Sequence, residues 1–419
     1  MDGFCMGKRR YVLWRGTLLL LLIVTLSCDK GNVRKVQAEG APKETELFAK
    51  GAVLLDADSG RVLYGKNEEV PLPMASTTKI MTLIVVLENA NLEDVVTVSA
   101  NATRQPKVHL GMESQQQFKL EDLCYSLMLE SHNDSAVALA EHVAGSVEAF
   151  AAMMNDKARD LGCSNTYFIT PNGLDATVDT EQGKKVHSTT PKELASILRY
   201  CIKISPCKDK FLEITRTQSH SFTDMAGKRS YSCNNHNAFL QMMEGALTGK
   251  TGFTGNAGYC YVGALQREER TYIVALLACG WPNNKTYKWK DTRRLMEYGI
   301  QNYTYHQVYQ KREEFAPVTV LQGCIVENGE EKLWKEAKVK PYMKEESLKL
   351  LMNEQEKVDI QYKLDSCITA PVEEGEIIGR AEYYLNGKQI GCFPIYSCNK
   401  VVIFNLELCI KEIKNKFLL

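Results

Sequence analysis

The sequence predicts an α/β fold: an antiparallel sheet with a helical insertion, then a small β-rich domain and a C-terminal amphipathic helix. Three observations predict it. Strand-like stretches stand near both ends of residues 45–305, with helical periodicity between them. From residue 306 to residue 400 the pattern becomes short alternating runs separated by turn residues. Residues 401–419 return to helical spacing.

The elements follow in order. Ala52-Val53-Leu54-Leu55 and Val62-Leu63-Tyr64 flank Asp56–Gly60, a β-hairpin turning at Asp58-Ser59-Gly60. Residues 77–89 and Leu120–Leu129 are apolar at helical spacing, and Asp134–Ala144 opens with Asp134 as a candidate N-cap. Helices are also expected over Val147–Leu161 and Pro191–Tyr200. The period then changes to that of strands at Ala246–Lys250, Gly258–Leu265 and Thr271–Ala278, the last two joined across Arg267–Glu269. Asp291–Tyr298 closes the domain as a helix.

Residues 306–316 are polar and are expected to be a linker. Beyond them Val318–Val326, Val358–Tyr362, Glu376–Leu385 and Gln389–Tyr396 are expected strands, with Asn386-Gly387 as a hairpin turn. In the tail, Leu406, Cys409, Ile410, Ile413 and Phe417 share one stripe, and charged residues hold the rest. Such a segment is too short and too charged to cross a bilayer and is suited to lying in its surface, the competing readings being a helix packed on the β-rich domain or a last strand running into disorder.

Residues 1–38 are expected to be an export signal. Lys8, Arg9, Arg10 and Arg15 lead into the apolar run Thr17–Leu26, and Val36-Gln37-Ala38 satisfies the small-residue rule for cleavage. Lipid attachment at Cys28 is the competing reading, with Thr25 where a lipobox has leucine. The 51 basic and 51 acidic residues balance, which gives no sign of a nucleic-acid partner. Disulfides are open to an exported chain. Cys124, Cys260 and Cys279, however, sit in apolar stretches that favour buried free thiols. No His/Cys cluster has zinc spacing, so no metal or cofactor is expected, and His142 is assigned a structural role.

Three short motifs carry chemistry: Ser76-Thr77-Thr78-Lys79, Ser131-His132-Asn133 and Lys250-Thr251-Gly252. Each is cheap alone, since Ser-x-x-Lys recurs at Ser27, Ser205 and Ser397, and Ser-x-Asn at Ser99, Ser232 and Ser397. Only the set beginning at Ser76 has partners at domain-scale spacing, 55 and then 119 residues on. Lys79 lies one helical turn from Ser76 on the same face, within reach of its hydroxyl. A serine at a helix start has free backbone N–H groups beside it for a developing oxyanion.

A lysine of ordinary pKa is neutral only about four times in ten thousand at pH 7. To act as a base, Lys79 must be buried or placed beside another cation, and Lys250 is the candidate. Lys250 also suits a substrate carboxylate, and Gly252 lets an extended peptide approach the strand. Ser131 and Asn133 fall between two expected helices, where a hydroxyl can relay a proton and an amide can orient a lysine. Pro171-Asn172-Gly173-Leu174 and His187-Ser188-Thr189 are read as shaping loops.

At these residues the chain resembles the low-molecular-mass penicillin-binding proteins, the serine-type D-Ala-D-Ala carboxypeptidases of the bacterial cell wall. The likeness extends through Pro73–Lys79, Asn133–His142, Asn172–Asp175 and Gly249–Thr254, and more loosely through Ala370-Pro371-Val372 and Gly375–Gly391. It implies a transpeptidase/β-lactamase-like fold and removal of the terminal D-alanine from peptidoglycan stem pentapeptides, with β-lactams as inhibitors. Ser76 would form the acyl-enzyme and Lys79 would be the base, with Ser131 and Asn133 completing proton transfer. Lys250 and Thr251 would bind the terminal carboxylate, and the N–H groups of Ser76 and Phe253 would form the oxyanion hole. The resemblance also favours a membrane-surface tail and an extracytoplasmic location. His132 departs from it, since many relatives carry a small residue there, and this bears on cleft shape and substrate preference. No arginine near the carboxylate site can be assigned, and Lys285 and Lys288 lie in that region.

Two alternatives compete. A class A β-lactamase needs a deacylating glutamate after the second motif, and Thr166–Thr177 contains none. A non-catalytic wall-binding protein of the same fold predicts a damaged motif, and all three are intact.

Overall fold

The structure is a computed structural model that describes residues 40–417, apart from 182, 328–329 and 333–334. The expected signal segment, 1–38, and Cys28 with it, lie outside the described residues. Strands β1 (Gly51–Asp56) and β2 (Val62–Lys66) form the expected hairpin. They join β3 (Ala246–Thr254), β4 (Gly258–Arg267) and β5 (Arg270–Leu277) in one antiparallel sheet of order β2-β1-β5-β4-β3. The chain between β2 and β3 is the helical insertion.

Alternation along the strands divides the core. Val53, Leu55, Val262, Ala264, Ile273 and Ala275 pack against the insertion. Their neighbours Ala52, Leu54, Tyr261, Tyr272 and Val274 pack on the other face against Leu295, Met296 and Tyr298 of the closing helix, Tyr287–Asn302. Both faces are covered, so β1 and β5 are apolar at nearly every position rather than alternating.

The insertion is built around α1 (Lys79–Asn89), in which every residue from Lys79 to Leu87 is buried. A helix apolar nearly all round belongs in the centre of a domain. Against it lie α2 (Leu120–Leu129), α3 (Asn133–Ala144) and α4 (Val147–Asp160). The α3 helix stops at Gly145, whose φ of +81° is the left-handed C-terminal turn. Its start differs from expectation: His132 holds the N-cap position and Asp134 lies inside the first turn. The Asp134 carboxylate instead accepts N–H bonds from Leu110 and Gly111 at 2.9 Å each, tying down the loop over α3.

In the C-terminal part, Ile377–Leu385 and Lys388–Ser397 pair antiparallel around Asn386 and Gly387, both at positive φ as a type I′ turn requires. Three expectations need correction. The stretch taken as a linker begins as a strand, Thr304–Gln307, paired with Lys349–Met352, and Val308 and Tyr309 after it are buried. Val318–Val326 is two strands broken at Gln322, which has φ +54°. The tail starts with a strand, Val401–Ile403, paired with Gly323–Glu327, and its helix spans Leu406–Phe417. The cysteines are free among the described residues, Cys124, Cys260 and Cys279 all buried.

A cleft of about 630 Å³ opens between the outer edge of β2 and the Asn386 hairpin. Four strand spacings, about 19 Å, separate β2 from β3, where the three motifs meet, so this cleft is not the reaction site.

Candidate active site

Ser76 sits in a 3₁₀ turn, Ala75–Thr78, that leads directly into α1. Ala75 has φ +48°, and the Thr77 and Thr78 hydroxyls donate back to the carbonyls of Met74 and Ala75 at 2.6 and 2.8 Å. His187 supports the turn from below, its Nε2 lying 2.8 Å from Thr78 Oγ1. His187–Thr189 therefore shapes the loop, as expected.

Lys79 Nζ lies 2.9 Å from Ser76 Oγ, 2.9 Å from Asn133 Oδ1 and 2.6 Å from the Asn172 carbonyl oxygen. The Asn133 amide is oriented by its other end, since Nδ2 donates to Pro106 O at 3.0 Å. A neutral amine has two N–H groups and one lone pair. Asn133 Oδ1 and Asn172 O can only accept, so they take the two N–H groups. The lone pair is left facing the Ser76 hydroxyl. The other acceptor open to that hydroxyl, Asn172 O at 3.4 Å, is long for an O–H bond.

The electrostatics favour that neutral form. Burial holds the Lys79 amine well below its ordinary value of 10.5, the Lys250 cation pushes it the same way, and Asp134 opposes. Burial brings Lys250 down to about 7. Its Nζ donates to Ser131 Oγ at 2.9 Å and to Thr251 O at 3.0 Å, so a charged amine keeps one N–H for an incoming anion. Ser131 reaches it because its backbone is left-handed, φ +66°.

The strand β3 is the free edge of the sheet, open to an added extended peptide. A Cβ on Gly252 would stand 2.8 Å from Ser76 N, so only glycine lets that N–H face the cleft. Phe253 follows it, half exposed, with its ring 4.7 Å from that of Tyr259. Lys288 is buried beside Tyr259 and Trp289, and Lys285 accepts from its amine.

All eight residues named from sequence thus lie in or beside one groove between β3 and the insertion. The asparagine at 172, read as loop-shaping, supplies the shortest contact of Lys79. Its signal was weak because a carbonyl carries no side-chain signature. The cue present was Gly173, which has φ +87° and whose Cβ would overlap Ala75 O at 2.1 Å.

A serine hydroxyl facing a buried lysine held well below its ordinary pKa, beside a second lysine and an open strand edge, fits a serine acyl-transferase site of the penicillin-recognising kind. Residues 35–279 match the D-alanyl-D-alanine carboxypeptidase family, peptidase family S11, and residues 303–402 match the C-terminal domain of penicillin-binding protein 5. The chain belongs to that carboxypeptidase family. It is 26% identical over 355 residues to the D-alanyl-D-alanine carboxypeptidase DacF of Bacillus subtilis, covering 83% of this chain and 84% of that protein. It is 31% identical to DacB2 of Mycobacterium tuberculosis, covering 58% and 79%. Penicillin-binding protein 5 of Haemophilus influenzae superposes with a TM-score of 0.62 at 25% identity, covering 86% of this chain and 99% of that one.

The protein is therefore a D-Ala-D-Ala carboxypeptidase with a transpeptidase/β-lactamase-like fold, a hydrolase acting on peptidoglycan outside the cytoplasm.

Proposed function

We propose that Ser76 is the nucleophile that removes the terminal D-alanine of stem pentapeptides, and that Lys79 is its base. The observation that carries this is the 2.9 Å contact between Lys79 Nζ and Ser76 Oγ, with the other two Lys79 partners being acceptors. In this reading the substrate lies along β3 with its terminal carboxylate at Lys250 and Thr251. Lys79 takes the Ser76 proton as Oγ attacks the penultimate D-Ala carbonyl carbon. The oxyanion meets the N–H groups of Ser76 and Phe253, a pairing that the bare approach of Gly252 to Ser76 N supports.

The departing D-alanine amine needs a proton. Ser131 Oγ, on Lys250 Nζ at 2.9 Å, is suited to pass on to it the proton that Lys79 took, which leaves Lys79 neutral again, and Asn133 holds Lys79 in line. Water then releases the shortened peptide from Ser76, with Lys79 again as base. We further propose that residues 1–38 direct export. We also assign membrane-surface attachment to the tail helix, whose Leu406, Ile410 and Ile413 are exposed by 76, 46 and 58%. No single helix among the described residues is long and apolar enough to cross a bilayer.

The test is labelling with a fluorescent penicillin beside assay of D-alanine release from a pentapeptide. A stable label on the wild type, absent from Ser76→Ala, together with release, is the expected result. A label that turns over rapidly without D-alanine release would assign the site to β-lactam hydrolysis, and no label would leave a wall-binding role.

A further inference from the structure

Between Ser131 and Asn133 stands His132, a buried side chain that the reaction above does not use. Its Nδ1 lies 2.8 Å from Ser126 Oγ on α2, and Ser126 Oγ lies 2.8 Å from Ser135 Oγ on α3. Three buried groups, from α2, α3 and the turn, therefore meet under the second motif.

The turn above them requires a restraint. Ser131 is left-handed, a conformation that a side-chain-bearing residue does not favour. His132 is extended, with φ −62° and ψ 129°. The flanking side chains reach outward, Ser131 Oγ to Lys250 and Asn133 Oδ1 to Lys79. The imidazole points the other way, onto α2. The main chain ties the turn on its other side, Asn133 N donating to Val108 O at 2.8 Å, but toward α2 its bond is long, His132 N reaching Ser126 O at 3.5 Å.

We propose that His132 is a positioning residue, whose tether to Ser126 holds the Ser131 turn so that Ser131 and Asn133 reach Lys250 and Lys79 together. This rests on the catalytic reading above. The ring is suited to the task because it is held toward its neutral form beside the two lysines. Burial pushes it below its ordinary 6.5, Lys79 and His109 act in the same direction, and Asp134 and Glu130 oppose. A small residue at this position makes no such tether, so the second motif of this chain is braced from beneath by a side chain.

The experiment compares His132→Ala, His132→Asn, Ser126→Ala and the double alanine variant. Acylation by a fluorescent penicillin, kcat and KM on a D-Ala-D-Ala pentapeptide, and Tm are measured for each. His132→Ala lowers acylation and kcat by about tenfold to a hundredfold while KM stays within about twofold, the signature of misplaced reacting groups. His132→Asn restores most of the rate, because an amide atom can occupy the place of Nδ1. Ser126→Ala matches the loss, and the double variant loses no more than the worse single one, since the two form one tether. A fully active His132→Ala overturns the inference, and so does a loss shared equally by the alanine and asparagine variants that follows Tm. An unlabelled wild type would sink the catalytic reading along with it, whereas a labelled wild type isolates the role of His132.

Discussion

The Asn172 carbonyl oxygen lies 2.6 Å from Lys79 Nζ, nearer than either Ser76 or Asn133. A main-chain group thus fixes which way the Lys79 lone pair faces. The carbonyl can stand there because Gly173 packs its Cα against the Ala75 backbone at a φ of +87°. Gly173→Ala should therefore cost about 1–3 kcal/mol for the backbone conformation alone, with overlap added. Penicillin acylation is expected to fall at least about a hundredfold as Ser76 and Lys79 part. A Gly173→Ala protein that acylates at the wild-type rate would show that Asn172 is not what orients the amine.

The two lysines predict a bell-shaped pH profile. In the proposed mechanism activity needs Lys79 neutral and Lys250 charged. Lys250 sits at about 7 in the free protein, so kcat/KM should decline above that pH. A bound carboxylate beside Lys250 favours its charged form and moves the basic limb of kcat upward. The Lys250 cation also depresses Lys79, so Lys250→Ala should shift the acid limb to higher pH. Basic limbs that coincide in the two profiles, or an acid limb unmoved by the substitution, would break the coupling.

Burying Lys250 costs stability, and the sign with pH is fixed. Below its folded value of about 7 the amine is charged in both states, and the desolvation cost is carried in full. Between about 7 and its ordinary 10.5 the unfolded chain binds more protons, so stability rises with pH and the cost fades. Lys250→Met should accordingly raise Tm, more at pH 6 than at pH 9, while lowering turnover without removing it. Thermal melts at the two pH values measure it. A gain that grows toward pH 9 would contradict the buried, depressed amine.

Much of the sheet and insertion was legible because turn residues bound the apolar runs at strand and helix lengths, even where burial on all sides erases the alternation. Leu120–Leu129 was bounded correctly, and Asn386-Gly387 turned as its residue types demand. The motif side chains were legible because Ser, Lys and Asn announce their chemistry. What stayed hidden were groups whose role comes from tertiary placement. Asn172 acts through its backbone. Asp134 has the residue type of a cap, yet from inside α3 it binds the Leu110–Gly111 loop. The Val401–Ile403 strand forms only because Gly323–Glu327 offers it an edge, which no local pattern records.

Asp134 itself makes a prediction. Its carboxylate accepts from Leu110 and Gly111 at 2.9 Å and from Met112 at 3.4 Å. Asp134→Ala leaves these donors without partners, each costing about 1–3 kcal/mol where water cannot reach. Denaturant melts should show a loss of about 3 kcal/mol, and hydrogen exchange should rise over residues 104–112. Asp134→Asn, which keeps one acceptor oxygen, should lose less. Exchange that rises everywhere equally would point to global destabilisation instead of a released loop.

The tail helix is separable from catalysis, because it lies outside the groove and turns Leu406, Ile410 and Ile413 to solvent. Full burial of such a side chain is worth about 1.5–3 kcal/mol. In the proposed attachment the stripe would hold the protein on a lipid surface, with Lys411 and Lys414 favouring anionic lipid. The full chain should cosediment with anionic vesicles, less with neutral ones, and a chain ending at Ile403 should stay in the supernatant. That shortened chain should keep its kcat on a soluble pentapeptide. Ile410→Glu should weaken vesicle binding by at least about tenfold, since it removes one buried apolar group and adds a like charge to the anionic surface. Equal sedimentation of the full and shortened chains would assign the helix to some other contact.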